Sequence, residues 1–261
     1  MAALKSLRPA VNALVRNPIL AVLIGLFGVV QLPQFALQSS RPLVASIVSL
    51  GISGAMILVA PFFQGGILGL ADEALTGRTS FDRFVSSGKA NYVSLLVAYL
   101  AVFAVNLVIG FVAMVGVIFG GIGLFAGGGE PNLAVLGVLV VIGLLFALAY
   151  LLVSFFIQFY AHAIVLSETD LVEGFKRSVS LVRHNLVSVL GYTAILLVGS
   201  VVLGGVSGVA SLLFTPQTTG LPLPDPSTAV LVVAAIVYVV SIAVLGGFYA
   251  TYSVAFYRSI E

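Results

Sequence analysis

Arg83 and Lys89 are matched 94 residues later by Arg177 and Arg183, with Lys176 alongside. Cations clustered beside an apolar segment can hold the phosphates of anionic lipid head groups at a membrane surface. The same residues could equally do no more than orient the chain, their stems snorkelling along apolar surface while the charges stay in water. A second set is made of amides. Gln64 and Gln158 occupy matching positions near the ends of two apolar segments, and Asn106 falls near the middle of a third. Such amides could line a path for a small solute, or could simply hydrogen-bond between helices at about 0.6 kcal/mol each. Asn17, Asn91 and Asn185 each stand where an apolar run begins, the position of a helix N-cap.

Other chemistry is poorly supplied. The chain has no Cys and two His, which excludes disulfides, thiolate metal sites and Cys nucleophiles and disfavours a His-based metal site. His162, with Tyr160 and Ser154 nearby, is a lone interfacial His. Nucleophile elbow, P-loop, zincin and paired-carboxylate patterns are missing, so no catalytic residue, metal or cofactor is assigned. A net charge of +2 with the basic residues beside apolar segments argues against nucleic acid.

The elements that must position these residues are membrane helices. Hydrophobic residues make up 61% of the chain and charged ones 8%, with a mean hydropathy of +1.22, whereas soluble domains carry roughly 25% charged residues. Residues 1–16 read as an amphipathic interfacial helix with Pro9 at its first turn or a kink. A cleaved signal peptide is the rival, disfavoured by Gln38 at the end of the run. Six spans are predicted at about 19–37, 43–70, 93–119, 133–165, 186–214 and 228–252. A Ser/Arg/Pro turn, a Gly-rich loop over 120–132 and a Pro/Thr loop over 215–227 are expected on the far side. Two charged segments, 71–92 and 167–184, lie between spans. In the second, Asp170 with Glu173 resembles a capping box and Glu173 with Arg177 an i,i+4 pair. Gly65-x-x-x-Gly69, Gly116-x-x-x-Gly120 and Gly204-x-x-x-Gly208 would allow close helix approach.

Residues 80–96 and 174–190 align without a gap, with identities at Phe81/Phe175, Arg83/Arg177, Val85/Val179, Ser86/Ser180, Asn91/Asn185, Val93/Val187, Ser94/Ser188 and Leu96/Leu190. Leu7, Val11 and Asn17 continue the pattern more weakly at the start. Three tandem units are therefore expected, approximately 1–70, 71–165 and 166–261, each an interfacial helix followed by a transmembrane hairpin. Ten of the 11 Lys and Arg fall on the side of the termini and charged segments, leaving only Arg41, with Glu130 and Asp225, on the other. Positive charge stays inside, so both termini are expected in the cytoplasm.

Pro61-Phe-Phe-Gln-Gly-Gly, Ala74-Leu-Thr-Gly, Phe81-x-Arg83-Phe84, Gly174-Phe-Lys-Arg-Ser and Leu181-Val-Arg-His-Asn give a layout that resembles the YciC-like proteins. It is also similar to the membrane domain that accompanies a glycerophosphodiester phosphodiesterase in some chains. The resemblance implies a six-span helical domain of no assigned activity, and no residue of that phosphodiesterase's metal-dependent barrel can be carried over. The expectation is an all-α, polytopic transmembrane helical bundle of the cell membrane, non-enzymatic, binding anionic lipid or a membrane or cytoplasmic partner at its rim. The alternative is a transporter or channel for a small neutral or amphiphilic solute past Asn106, Gln64 and Gln158. Neither oligomeric state nor ligand follows from the residues.

Overall fold

The computed structural model describes residues 2–40, 42–125, 132–214 and 226–261 and, at 34–40, 42 and 45, the backbone alone. Arg41, Glu130, Asp225 and most of the two far-side loops thus lie outside the described residues. Among the described residues every regular element is an α-helix: α1 (Ala2–Arg16), α2 (Ile19–Ser40), α3 (Pro42–Thr76), α4 (Phe81–Phe125), α5 (Leu133–Ile157), α6 (Tyr160–Leu166), α7 (Leu171–His184), α8 (Leu186–Phe214) and α9 (Thr228–Ile260). Five stretches are long and apolar enough to cross a membrane: α3, α4, α5 with α6, α8 and α9. A sixth is supplied by α2 when counted with α1, from which it turns by 82°. The protein is an all-helical membrane bundle.

The helices begin and end for local reasons. Asn132 and Ser227 cap α5 and α9, their side-chain oxygens accepting from Val135 N and Val230 N, and Asp170 caps α7 through Glu173 N at 2.8 Å. That is the first half of the expected capping box. α6 ends with Glu168 in the left-handed region, φ 51°, the conformation that usually turns a chain out of a helix.

Two boundaries differ from expectation. The charged segment over 71–92 is not a separate interfacial helix: 71–76 complete α3, and 81–92 run without a break into the next span, giving a 45-residue α4 of about 67 Å. Nor do Gly120, Gly121 and Gly123 end it, because each is still inside the helix. The fourth span, by contrast, breaks at Gln158 and Phe159 into α5 and α6. Ser178 Oγ of α7 accepts from Phe159 N at 3.0 Å and donates to Phe156 O at 2.9 Å, so a neighbouring side chain takes over the backbone groups at the break.

The core sits at one end. Both clusters of buried residues gather where α1, α6, α7, the first turns of α2, α4 and α8 and the last turns of α3 and α9 meet. In α4 the buried residues are Phe84, Ser87, Gly88, Leu95 and Ala98, and α5 buries none. Away from this rim the spans present Val, Leu, Ile and Phe outward, as lipid-facing helices do where the surroundings are as apolar as the side chains.

Each amphipathic helix leans on the end of a span. The start of α4 lies on α3, with the Phe84 ring edge-on to Phe62 and Phe63, centroids 5.6 and 5.3 Å away. α7 lies on the α5–α6 break through Ser178. α1 lies on α9: Thr251 Oγ1 donates to Ala10 O at 3.1 Å and Tyr252 Oη to Ala3 O at 3.2 Å. The first and last helices thereby close the rim.

Close approach uses one of the three Gly-x-x-x-Gly motifs fully. A Cβ at Gly65 would lie 3.0 Å from Leu95 and one at Gly69 would overlap Ser87, whereas Gly116, Gly204 and Gly208 have no side-chain neighbour within 4 Å. Gly66 and Gly88 are equally constrained: a Cβ at Gly88 would stand 2.8 Å from the Phe62 ring and 2.9 Å from Phe62 O. Gly88→Val is therefore expected to lower stability by about 1–3 kcal/mol through overpacking. Gly204→Ala, in open space, should leave the thermal midpoint of the detergent-solubilised protein unchanged. Equal midpoints for the two variants would contradict this account of the α3–α4 seam.

Candidate functional site at the charged rim

The three asparagines do not cap spans. Asn17 is buried at the α1–α2 bend, where its Nδ2 donates to Ala13 O at 3.0 Å and Gly77 O at 3.1 Å while its Oδ1 accepts from Thr79 N at 2.9 Å. It ties the first bend to the loop after α3. Asn185 donates to Leu181 O at 3.1 Å and reaches Ile260 O at 3.4 Å, at the end of α9. Asn91 lies inside the continuous α4 and donates to Ser87 O at 3.0 Å. Each amide thus bonds the carbonyl four residues back, and two of the three join a bend to the end of a span. An amide with both donors and acceptor engaged suits this place better than a hydroxyl, which has a single donor.

The cations divide into two groups. Arg258 forms a two-pronged contact with Asp72, Nε and Nη2 each 2.9 Å from a carboxylate oxygen, and its Nη1 lies 3.1 Å from Glu261 Oε2. Glu261 also accepts from Arg177 and, at 2.8 Å, from Ser167 Oγ. This network joins α3, α7 and α9 beside the C-terminus. It redirects Arg177, whose partner is Glu261 and not the Glu173 expected from helical spacing. Arg83, Lys89, Lys176 and Arg183 are exposed, as are Lys5, Arg8, Arg16 and Arg78, and none of these eight is ion-paired among the described residues. Arg83 borders a polar recess of about 270 Å³ with Ser86, Asn91 and Glu168.

Asn106 and Gln158 find hydrogen-bond partners within the protein. Tyr150 Oη donates to Asn106 Oδ1 at 3.0 Å and Asn106 Nδ2 donates to Val102 O at 2.8 Å. The pair sits in the wall of a cleft of about 380 Å³ between α4 and α5, apart from Ser154 otherwise lined by apolar residues, Phe175 of α7 among them. Gln158 Nε2 donates to Phe155 O at 2.8 Å, and no hydrogen bond joins it to Gln64 among the described residues. The three amides are therefore not brought together into one polar path.

The region beneath the rim holds an aromatic stack that the sequence reading did not assemble. Tyr192 lies parallel to Phe256 at 4.5 Å, Phe248 to Tyr252 at 5.6 Å, and Phe159 touches both Tyr192 and Phe256. His162 stacks on Tyr257 at 5.5 Å, 8% exposed, and neither ring nitrogen has a partner among the described residues. No group of three His, Cys, Asp or Glu able to hold a metal occurs among the described residues. The signal for this cluster was available only as Tyr and Phe crowded near the ends of three apolar runs, a pattern common to membrane interfaces.

A family model described as a domain of unknown function, DUF7847, matches residues 1–260. The chain belongs to the DUF7847 family. No curated protein and no solved structure matches it. The match takes in α1 through α9, so the closure of the first helix on the last falls inside the DUF7847 unit.

Two substitutions test which polar groups hold this DUF7847 chain together. Asn17→Ala leaves partly buried groups of the 77–79 loop without their protein partner, at up to about 1–3 kcal/mol for each orphaned group. It should depress the thermal midpoint more than Asn91→Ala does. His162→Phe removes two unpartnered ring nitrogens from an aromatic site and should raise the midpoint. A fall would mean that the imidazole has a partner in the membrane-embedded protein.

Proposed function

We propose that the protein is a non-enzymatic multi-pass protein of the plasma membrane with both termini cytoplasmic, whose rim engages anionic phospholipid head groups. The observation that carries the reading is the division of the cations. Arg177 and Arg258 are consumed by Asp72 and Glu261, while the other described cations stay exposed and unpaired, and of these Arg83, Lys89, Lys176 and Arg183 lie on the two repeated segments where the spans leave the bilayer. Charges of one sign held at a membrane surface attract anionic lipid at about 1 kcal/mol each, roughly fivefold per residue. The cytoplasmic side follows from the same bias, since Lys and Arg concentrate on one side of the bundle.

The chain is, in this reading, three tandem units closed into a ring. Support comes from equivalent contacts: Ala10, Phe84 and Ser178, at corresponding places in the three amphipathic segments, meet Thr251, Phe62 with Phe63, and Phe156. A ring of this kind is a rigid frame on which head-group or partner contacts can be set. A second reading is favoured by the α4–α5 cleft, where an amphiphile could lie along apolar walls against the Asn106–Tyr150 pair.

The test is lipid enrichment around the protein extracted from membranes of mixed phosphatidylglycerol and phosphatidylcholine without detergent. Wild type should be enriched in the anionic lipid, and the variant with Arg83, Lys89, Lys176 and Arg183 changed to Gln should lose most of that enrichment while a fusion reporter shows unchanged topology. Equal enrichment in both would reduce the cations to topology signals.

A further inference from the structure

Lys89 and Arg183 each stand at the mouth of a groove, and the two grooves are built from corresponding residues. The first, about 390 Å³, is walled by Leu58, Val59 and Phe62 of α3 with Lys89 and Tyr92 of α4. The second, about 340 Å³, is walled by Leu152, Val153 and Phe156 of α5 with Val179 and Arg183 of α7. Leu58, Val59, Phe62 and Lys89 stand 94 residues before Leu152, Val153, Phe156 and Arg183, the same offset that relates the charged segments. Neither groove includes an acidic residue, and neither cation is ion-paired among the described residues. Each is therefore an open slot of largely apolar lining with one unpaired cation in its wall.

We infer that these grooves are two equivalent sites, each holding one anionic phospholipid with its phosphate on Lys89 or Arg183 and the start of an acyl chain against the apolar wall. The inference rests on the lipid-binding reading above and deepens it from a diffuse charged rim to two defined places. Charge complementarity selects the occupant: a phosphate diester answers the unpaired cation and the attached chain answers the aliphatic and Phe walls. Arg183 can grip a phosphate with two parallel donors, whereas Lys89 meets it as a point charge.

The corresponding third place explains why the number is two. One further step of 94 residues leads from Leu152, Val153 and Phe156 to Gly246, Gly247 and Ala250, and Val15 takes the position of the cation. There the wall has lost its side chains and the protein fills the space itself. A Cβ at Gly246 would meet Ile24 at 2.6 Å, and one at Gly247 would meet Leu14 at 2.8 Å and Ala21 at 3.5 Å. With α1 and α2 seated on α9 no slot remains, and the position equivalent to the two cations is Val15.

The experiment is native mass spectrometry of the purified full chain, stripped of lipid and titrated with phosphatidylglycerol, with phosphatidylcholine as the neutral control. Wild type should retain two phosphatidylglycerol molecules through activation, Lys89→Gln and Arg183→Gln one each, and the double variant none. Lys89→Arg and Arg183→Lys should keep both. Val59→Trp and Val153→Trp, which fill a groove and leave its charge, should each remove one. Retention of the wild-type number by the double variant overturns the inference. So does full retention by both Trp variants, because head groups would then be held without the grooves, and so does equal retention of phosphatidylcholine. If the double variant keeps its lipid while additional change of Arg83 and Lys176 to Gln releases it, the grooves are wrong and the charged rim stands. If even that variant keeps it, both readings fall.

Discussion

The contact on which the rest of the bundle depends is that between the two ends of the chain. α1 is 15 residues long, a length at which an isolated helix is marginal even with favourable composition. Its order comes from α9, against which Ala3, Ala10 and Ala13 are buried, and from the carbonyls of Ala3 and Ala10 accepting the Tyr252 and Thr251 hydroxyls. Small side chains let the backbones come close enough for those bonds. Once α1 is seated, the 82° bend and buried Asn17 fix where α2 enters the membrane, and Asn17 in turn holds the loop after α3. A contact made across about 240 positions of sequence therefore sets the geometry of the first three helices.

Concentrating the core at the rim is a consequence of the solvent. In water, unpacked outer halves of α4, α5, α8 and α9 would expose an apolar surface that no monomer could carry. In lipid the same surface is already in its preferred medium, so helix association there gains little from burial alone. The gain is available where water begins, and there the chain places its amphipathic helices, its aromatic stack and its ionic network. The network uses the C-terminal turn: Glu261 gathers Arg177, Arg258 and Ser167, and Arg258 reaches Asp72. Partly exposed ion pairs contribute modestly one by one. Their larger effect is to decide which cations are left without a protein partner.

The spans and the charge asymmetry were legible in the sequence because they depend on hydropathy and local composition, which the bilayer reads directly. The match of Lys89 to Arg183 was legible for the same reason: both lie within the aligned segments. What was not legible depends on partners far away in the chain. Asn17 and Asn185 precede apolar runs as an N-cap would, and nothing local reveals that their amides turn back to Ala13 and Leu181 and across to Gly77 and Ile260. Arg177 has an acidic residue at helical spacing, yet Glu261 takes it. The break between α5 and α6 has no Pro or Gly at Gln158 or Phe159 to announce it; Ser178, on another helix, makes it tolerable. Asn106 shows the middle case: its need for a partner was readable, and only the fold could name Tyr150.

The three-unit reading accounts for a departure from symmetry that would otherwise look arbitrary. If the units were alike, each would carry a cation over a groove, yet Val15 stands where the others have Lys89 and Arg183. Closing the ring requires one unit to pack its first span tightly on the last span of the chain, and tight approach demands Gly246 and Gly247 where the other units have Leu and Val. A wall of glycines leaves no groove, so in the lipid-site reading a cation above it would have no chain-bearing ligand to hold. In that reading the loss of the charge and the loss of the side chains are one adaptation. On the three-unit reading, the unit that closes the ring gives up its groove, and the two that remain open keep theirs.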